Sequence, residues 1–281
     1  MRVLVTGARG LLGAELMALL TAAGFEAQGL GHAELDISDA RAVGGAVTQF
    51  RPQVVVNCAG YTNVDGAESR PEAALVVNRD GATGVALAAA AAGARLIHVS
   101  SDYVYAGDLG RAISESDPER PISAYGQSKL EGDLGVRRSC PDHVIVRSAW
   151  LYGAHGKNFI DTILTRARAG ETLRVVGDQI GSPTWARDLA AGIVALLGVS
   201  HVGTVHVANP GAVSWHGLAL AALDLAGLGH VPIAPITTAE LGRPAPRPAY
   251  SALDTTLYAK LVGSSLRPWQ AALAAYLASR A

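Results

Sequence analysis

Short apolar runs alternate with segments of helical spacing through the first half of the chain. We interpret the apolar runs as buried strands, which cover residues 2–6, 27–30, 54–57, 95–100 and 143–147. The helical segments between them cover residues 11–23, 41–50, 82–92 and 124–139. Strands that are apolar along their whole length are typical of a parallel sheet with helices on both faces. With right-handed crossovers, the pattern predicts an α/β fold with a Rossmann-type doubly wound parallel sheet.

The pattern becomes less regular after Trp150. The elements expected there are helices over 158–169 and 185–198 and strands over 173–176 and 204–208. Loops are expected in the stretches rich in glycine or proline, 177–183 and 241–249. We predict a Rossmann domain over residues 1–149, which residues 185–210 rejoin. Residues 150–281 are predicted to form a smaller C-terminal α/β domain.

The composition narrows the classes of protein to which the chain can belong. Its 281 residues are 49% hydrophobic, which is enough for a large core. The net charge is −1 and the basic residues are scattered, so no surface for nucleic acid is expected. The apolar stretches 81–94 and 189–199 are too short or too interrupted by glycine to cross a membrane.

Cysteine and histidine spacing indicates neither a metal site nor a disulfide. Cys58 and Cys140 form no CxxC motif, and the eight histidines form no HExxH motif. We therefore expect two reduced thiols and no catalytic metal. Strand 2–6 stands where a signal peptide would lie, so a cytoplasmic protein is expected.

The glycines of VTGARGLLG lie between the first strand and the first helix. Gly7 permits a tight turn, Gly10 lets the backbone approach a pyrophosphate, and Gly13 lets the helix pack against the strand. The helix then begins at Leu11 and Leu12, where free N–H groups and the helix dipole favour an anion. The loop therefore predicts a dinucleotide cofactor.

The end of the second strand bears on which dinucleotide binds. A carboxylate at that position would accept a hydrogen bond from the ribose of NAD. The strand ends near Gly31 and His32, with no carboxylate immediately there. Arg9, in the glycine loop, can pair with the 2′-phosphate of NADP. These observations favour NADP(H) as the cofactor, with NAD(H) as the alternative. The other interpretation of Arg9 is a solvated surface charge.

Tyr125 and Lys129 are four residues apart and share one face of the predicted helix 124–139. A nearby ammonium lowers the pKa of a phenol, so Lys129 can prepare Tyr125 to exchange a proton. Ser101 follows a strand and can donate a hydrogen bond to the same reacting oxygen. A phenol and an ammonium beside a nicotinamide point to an oxidoreductase acting on a ketone or an alcohol.

The order of these features resembles that of the extended short-chain dehydrogenases/reductases. The glycine loop is followed by NCAG (57–60), SSDYVY (100–105) and YGQSK (125–129). Longer segments narrow the resemblance to the dTDP-4-dehydrorhamnose reductase family and extend over nearly the whole chain. They are ELDISD (34–39), VVVNCAGYTNVDGAE (54–68), HVSSDYVYAG (98–107), SAYGQSKLEGD (123–133), VRSAWLYG (146–153), NFIDTIL (158–164), VVGDQIGSPTWARDLA (175–190) and RPAYSALD (247–254).

The resemblance implies that NAD(P)H reduces the C4 ketone of a dTDP-4-keto-6-deoxyhexose, giving dTDP-L-rhamnose or a related deoxysugar. It implies catalytic roles for Ser101, Tyr125 and Lys129. The glycine loop and the resemblance together give the residues predicted to bind the cofactor. They are Gly7, Arg9, Gly10, Leu11, Leu12, Gly13, Asp36, Ile37, Cys58, Ala59, Gly60, Tyr125 and Lys129. The substrate residues are Asp102, Tyr103, Trp150, Asn158, Gln179, Ser182, Thr184 and Arg247. Asp36 can equally be a helix cap before residues 38–41, and a homodimer is expected.

Three alternatives share the fold. A sugar-nucleotide dehydratase needs a pair of carboxyl groups directly after the serine, whereas Asp102 is followed by Tyr103. An epimerase uses the same tyrosine and lysine but retains NAD tightly. A non-catalytic regulatory subunit of this family need not keep Ser101, Tyr125 and Lys129, all of which are present.

Overall fold

The computed structural model describes residues 1–280. Its strands are β1 Arg2–Thr6, β2 Glu26–Leu30, β3 Val54–Asn57, β4 Arg95–Ser101, β5 His143–Ser148, β6 Leu151–Tyr152, β7 Leu173–Val176, β8 Ile180–Gly181, β9 Thr184–Trp185, β10 Gly203–His206, β11 Val213–Ser214 and β12 Ile233–Ile236. Its α-helices are α1 Leu11–Ala22, α2 Ala40–Phe50, α3 Val64–Ser69, α4 Pro71–Leu75, α5 Ala82–Ala91, α6 Ala124–Ser139, α7 Phe159–Arg168, α8 Ala186–Leu196, α9 Trp215–Leu225, α10 Thr238–Leu241, α11 Thr256–Val262 and α12 Trp269–Ala278. A π-helical segment, Val76–Gly81, joins α4 to α5, and a 3₁₀ turn covers Asp102–Val104.

Six parallel strands form the central sheet, in the order β10-β5-β4-β3-β1-β2. Strand β1 pairs with β2 on one side and β3 on the other, so that Val5 lies between Gly29 and Val56. The strand that follows β1 in the chain lies on one side of it, and the next strand lies on the other side. This reversal of the strand order opens a crevice at the carboxyl ends of β1 and β3. The prediction of a Rossmann-type doubly wound sheet is confirmed.

Apolar side chains cover both faces of this sheet. Val3 and Val5 point to one face, where α1 and α8 pack, and Leu4 points to the other, where α2, α5 and α6 pack. Alternate residues of a strand face opposite sides, so a strand covered on both sides must be apolar throughout. This is why the strands read as continuous apolar runs in the sequence.

The chain leaves the sheet after β5 and returns at α8 and β10. Helix α8 contributes Leu189 and Ile193 to the core beside α1, and β10 pairs with β5 at the edge of the sheet. A separate core lies among α7, α9 and α12, beside the paired strands β7 and β12. The division into two domains stays a prediction.

The elements not predicted lie mostly in the second half. Helices α9 and α12 are rich in alanine and leucine, with apolar residues around most of their surface. A helix apolar on several faces has no amphipathic period, so the pattern does not separate it from a loop-rich region. In the first half, α3, α4 and the π-helical segment precede the predicted helix 82–92.

Two further features of the described residues bear on function. No helix within residues 1–280 combines the length and apolar character needed to span a bilayer. Over the same residues, no group of three or more histidine, cysteine or acidic side chains is arranged to hold a metal ion. Cys58 and Cys140 are both free.

A buried ion pair ties β5 to α6. Arg147 and Asp133 are fully buried, and Arg147 Nη2 lies 2.8 Å from Asp133 Oδ2. Arg147 Nη1 also donates to Tyr105 Oη at 2.6 Å, and Glu119 is a second acidic partner. Burial makes an unpaired charge costly, so each member of this cluster depends on the others.

We expect Asp133→Ala to lower the free energy of unfolding by about 3–5 kcal/mol, because it leaves the Arg147 guanidinium buried with one acidic partner fewer. Urea unfolding followed by circular dichroism measures the change. The control is Asp108→Ala, which removes an exposed pair with Arg120 at 2.8 Å and should cost less than about 1 kcal/mol. Equal losses in the two variants would contradict the role assigned to the buried pair.

Candidate active site

A cavity of about 780 Å³ lies at the carboxyl edge of the sheet. All of the residues predicted to bind the cofactor line it: Gly7, Arg9, Gly10, Leu11, Leu12, Gly13, Asp36, Ile37, Cys58, Ala59, Gly60, Tyr125 and Lys129. Ser101 lines the same cavity, as do Asp102, Tyr103 and Trp150 among the predicted substrate residues. The structure therefore brings the three proposed catalytic side chains and the glycine loop to one space.

Close backbone contacts shape the glycine loop. Gly7 has a φ of 66°, and a Cβ there would lie 2.6 Å from the backbone nitrogen of Ala59. A Cβ on Gly13 would lie 2.3 Å from the carbonyl oxygen of Gly7. The first contact joins the ends of β1 and β3, and the second sets α1 directly against its own loop, as the sequence predicts.

The start of α1 fits the pyrophosphate of a dinucleotide. Gly10 precedes the helix, no described side chain caps it, and its first turn holds no acidic residue. The first N–H groups of a helix lack intrahelical partners. In α1 these groups belong to residues that line the cavity, Leu11, Leu12 and Gly13. Uncapped N–H donors beside Gly7, Gly10 and Gly13 are what an anionic group needs.

Two asparagines that were not predicted as site residues hold the loop after β3. Asn57 Oδ1 accepts hydrogen bonds from Thr6 Oγ1 at 2.6 Å and from the Ala59 nitrogen at 3.2 Å. Asn78 Oδ1 accepts from the Tyr61 nitrogen at 2.9 Å, and its Nδ2 donates to Ser128 Oγ at 2.9 Å. Asn57 could have been noticed as a polar end to an apolar strand, whereas only the tertiary structure shows the role of Asn78.

Helix α6 carries the proposed acid and its partner. Ser123 caps the helix by accepting from the Gly126 nitrogen at 3.0 Å, which places Tyr125 in the first turn. Lys129, one turn later, donates from Nζ to the carbonyl oxygen of Val99 on β4 at 2.8 Å. Both side chains are almost fully buried. Ser101, at the end of β4, therefore lies beside the strand residue that Lys129 contacts.

Burial dominates the pKa values of this group. It raises the pKa of Tyr125 to about 12, an effect that a hydrogen bond with Ser101 partly offsets. Burial also lowers the pKa of Lys129, against the opposing charge of Asp133. The pKa of Tyr125 thus shifts in the direction opposite to the predicted one, because loss of solvation dominates it and the Lys129 ammonium makes no resolved contribution. The phenol thus keeps its proton near neutral pH.

Several polar groups beside Ser101 border the cavity. Ser101 Oγ donates to Asp102 Oδ1 at 3.0 Å and accepts from the Tyr103 nitrogen at 3.2 Å. Asp102 Oδ2 and the hydroxyls of Ser100 and Ser148 are buried and have no hydrogen-bond partner among the described residues. Burial raises the pKa of Asp102 to about 6, although hydrogen bonds from serine hydroxyls oppose the shift. Unpartnered polar atoms in a cavity favour a polar ligand.

Two stacked tryptophans form one wall. The Trp150 and Trp215 rings lie 3.6 Å apart between centroids and 6° from parallel. Trp150 has a φ of 47°, an uncommon conformation for a bulky residue, and its ring leaves no room for a Cβ at Gly181. Trp215 was not predicted as a site residue, and it donates from Nε1 to Gln179 Oε1 at 3.2 Å.

Five predicted substrate residues do not line the cavity: Asn158, Gln179, Ser182, Thr184 and Arg247. Asn158 caps α7 by accepting from the Asp161 nitrogen at 3.0 Å. Ser182 Oγ accepts from the Leu253 nitrogen at 3.1 Å, and the Thr184 hydroxyl donates to the Ser182 carbonyl at 3.1 Å. Their substrate-binding roles stay predictions.

Two predicted ligand contacts are engaged within the protein. Arg247 Nη2 pairs with Asp65 Oδ1 at 3.0 Å. Asp36 Oδ1 accepts from the Ser38 nitrogen at 3.0 Å and from its hydroxyl at 2.8 Å, so Asp36 caps a turn at the cavity edge. The alternative that Asp36 is a helix cap is wrong, because Asp39, next to the first residue of α2, accepts from the free N–H groups of Arg41 and Ala42.

The fold and the site define an oxidoreductase of the Rossmann class that pairs a tyrosine with a lysine. The family model described as "RmlD substrate binding domain" matches residues 1–281. The dTDP-4-dehydrorhamnose reductase of Streptomyces griseus is 44% identical over 97% of this chain and 91% of that protein. The chain belongs to this reductase family.

Solved structures agree over the full length. A dTDP-4-dehydrorhamnose reductase from Clostridium acetobutylicum has a TM-score of 0.96 and 37% identity, covering 100% of this chain and 99% of that one. The Bacillus anthracis enzyme of the same name, solved in complex with NADP, has a TM-score of 0.95 and 36% identity, covering 99% of both chains.

The raised pKa of Asp102 predicts a pH-dependent stability. The folded protein holds this proton more tightly than the unfolded chain, so ionisation opposes folding as the pH rises from about 4 to about 6. Above about pH 6 the cost reaches about 3 kcal/mol. The free energy of unfolding of Asp102→Asn, relative to that of the parent, should therefore be higher at about pH 8 than at about pH 4. Urea unfolding at both pH values measures this, and a constant difference would contradict it.

Proposed function

We propose that this protein reduces the C4 ketone of a dTDP-4-keto-6-deoxyhexose with NAD(P)H. The preferred substrate is dTDP-4-dehydrorhamnose, which gives dTDP-L-rhamnose. The observation that carries the proposal is that Ser101, Tyr125 and Lys129 line one cavity with the glycine loop. The names of the full-length relatives support the same substrate class.

NADP(H) is the favoured cofactor and NAD(H) the alternative. When bound, the reduced nicotinamide supplies the hydride that the ketone carbon accepts. The start of α1 would hold the pyrophosphate, and Lys129 would bind the nicotinamide ribose. The relative solved with NADP supports this choice.

Tyr125 donates the proton that completes the reduction. As negative charge develops on the ketone oxygen, the phenol O–H transfers its proton and the phenolate remains on Tyr125. The phenol is protonated before the reaction, and an alkoxide is a far stronger base than a phenolate, so the proton transfer is favourable even though burial raises the pKa of Tyr125 to about 12. Lys129, one turn away, stabilises the phenolate.

Ser101 orients the ketone. Its hydroxyl lies at the carboxyl end of β4 and would exchange its bond to Asp102 Oδ1 for one to the oxygen that receives the proton. The buried surroundings strengthen such a hydrogen bond, because little water competes for it. Asp102 and Tyr103, on the following turn, would contact the sugar.

The neighbours of Ser101 favour reduction over elimination. Tyr103 stands where a dehydratase needs its second carboxyl group, and its ring packs edge-on against Tyr125 with centroids 5.3 Å apart. Burial raises the pKa of Tyr103 strongly, so it stays neutral. A neutral phenol there cannot serve as a carboxylate base.

The nucleotide half of the substrate would lie toward the second part of the chain. Trp150 and Trp215 both border the cavity. Trp215 also donates a hydrogen bond to Gln179, which lies outside the lining. Asn158, Gln179, Ser182 and Thr184 would position this half from behind the cavity wall. Arg247 would meet the diphosphate after exchanging its partner Asp65.

A cytoplasmic location and a homodimer are parts of the same proposal. The free thiols of Cys58 and Cys140 are compatible with a reducing compartment.

The decisive assay follows loss of reduced nicotinamide absorbance with enzymatically prepared dTDP-4-keto-6-deoxyglucose, with and without a 3,5-epimerase. Oxidation that requires the epimerase identifies the rhamnose series, whereas oxidation without it identifies the glucose-series ketone. No net oxidation with either substrate would overturn the proposal. Tightly bound NAD in the purified protein would then favour an epimerase.

Tyr125→Phe should lower kcat by about 10²–10⁴-fold, because the variant cannot donate the proton to the ketone oxygen. The Kd for NADPH should change by less than about twofold, since the phenol acts in the transition state. The control is Tyr258→Phe, which alters a tyrosine buried beside α1 and α8. Near-parental turnover of Tyr125→Phe would remove the assigned acid.

A further inference from the structure

Arg9 and Glu34 form an ion pair at the end of β2. Arg9 Nη2 lies 2.7 Å from Glu34 Oε1, and Glu34 Oε2 accepts a hydrogen bond from the Gly31 nitrogen at 2.7 Å. Both carboxylate oxygens are therefore engaged. The sequence shows no carboxylate directly after the strand, but the turn 31–34 folds the Glu34 side chain back onto the strand end.

The backbone builds this pairing. The Ala8 nitrogen donates to the Leu30 carbonyl oxygen at 3.1 Å, which sets the glycine loop beside the end of β2. A Cβ on Gly31 would lie 2.3 Å from Arg9 Cγ, so the aliphatic part of the Arg9 side chain packs directly against Gly31. Arg9 lines the cavity, and its guanidinium is thereby directed to Glu34.

This position decides between the two nicotinamide dinucleotides. In Rossmann folds, a carboxylate here accepts from the ribose 2′-hydroxyl of NAD, and an arginine accommodates the 2′-phosphate of NADP. The chain carries one residue of each kind, and they are bonded to each other. Asp36, the other nearby carboxylate, is bonded to Ser38 and not to Arg9.

Resting on the proposed function, we propose that Glu34 is the residue that limits selectivity for NADP(H) over NAD(H). Its carboxylate competes with a 2′-phosphate for the Arg9 guanidinium and for the Gly31 N–H, and it repels the phosphate charge. The same carboxylate is an acceptor for the 2′-hydroxyl of NAD(H). The pair thus lets one site accept both cofactors.

The strength of the pair supports such a balance. The Arg9 and Glu34 side chains are 75% and 40% exposed, so solvent and salt screen their attraction. A doubly charged phosphate can displace the carboxylate from a pair of this kind, whereas a neutral hydroxyl leaves it in place. Arg9 and the Gly31 N–H both lower the pKa of Glu34, so the carboxylate is ionised at neutral pH.

The test measures the Kd values of NADPH and NADH directly, by nicotinamide fluorescence with no sugar nucleotide present. Glu34→Gln should tighten NADPH binding by roughly three- to tenfold and leave NADH binding unchanged or weaker. Glu171→Gln is the matched control, because it removes one negative charge from another exposed pair, with Arg166 at 2.6 Å. It should leave the ratio of the two Kd values unchanged.

Arg9→Gln provides the complementary measurement. It should weaken NADPH binding by about tenfold and NADH binding much less, and Glu34→Gln added to it should no longer tighten NADPH binding. A parental Kd ratio in Glu34→Gln, or a shift equal to that of the control, would overturn the inference while leaving the reductase proposal intact. Failure of the parental protein to bind either dinucleotide would overturn both.

Discussion

The contact between Gly7 and the loop after β3 is the constraint on which the site depends. The order of the sheet places β1 beside β3, and the two chain segments that leave them meet where a Cβ at Gly7 would lie 2.6 Å from Ala59. Only glycine permits both this approach and a φ of 66° without strain. As a result, the start of α1 and the polar end of β4 border one cavity.

Burial then sets the electrostatic character of the catalytic group. Tyr125, Lys129 and Asp102 are each shifted toward their neutral forms, chiefly because they are removed from water. A neutral, protonated phenol is suited to giving a proton to an oxygen that becomes negative. In the proposed reduction, the ammonium of Lys129 would therefore matter more after the proton has left Tyr125 than before.

Away from the catalytic group, side-chain contacts between distant segments shape the site. Asn78 ties the loop after β3 to α6, and Trp215 stacks on Trp150 from the second part of the chain. This stacking and the close contact of the Trp150 ring with Gly181 stabilise the φ of 47° at Trp150. Strain of this kind is retained where the surroundings determine it, which is common at functional sites.

Local patterns in the sequence were sufficient for much of the molecule. The five strands of the first half, helix α6, the glycine loop and the spacing of Tyr125 and Lys129 are all visible in consecutive residues, because buried strands and helix faces have short periods. The helices α9 and α12 were missed because a helix with apolar residues on several faces has no amphipathic period.

The tertiary structure alone decided which side chains meet. Glu34 reaches Arg9 across 25 residues and Trp215 reaches Trp150 across 65, and no periodicity encodes such contacts. The pKa of Tyr125 likewise depends on how completely the folded chain excludes water, which the spacing to Lys129 does not reveal. The sequence by itself determined the class of chemistry, because that depends on residue types at fixed local spacing. Protonation depends on burial, and the proposed cofactor selectivity depends on a long-range contact, so only the fold determines them.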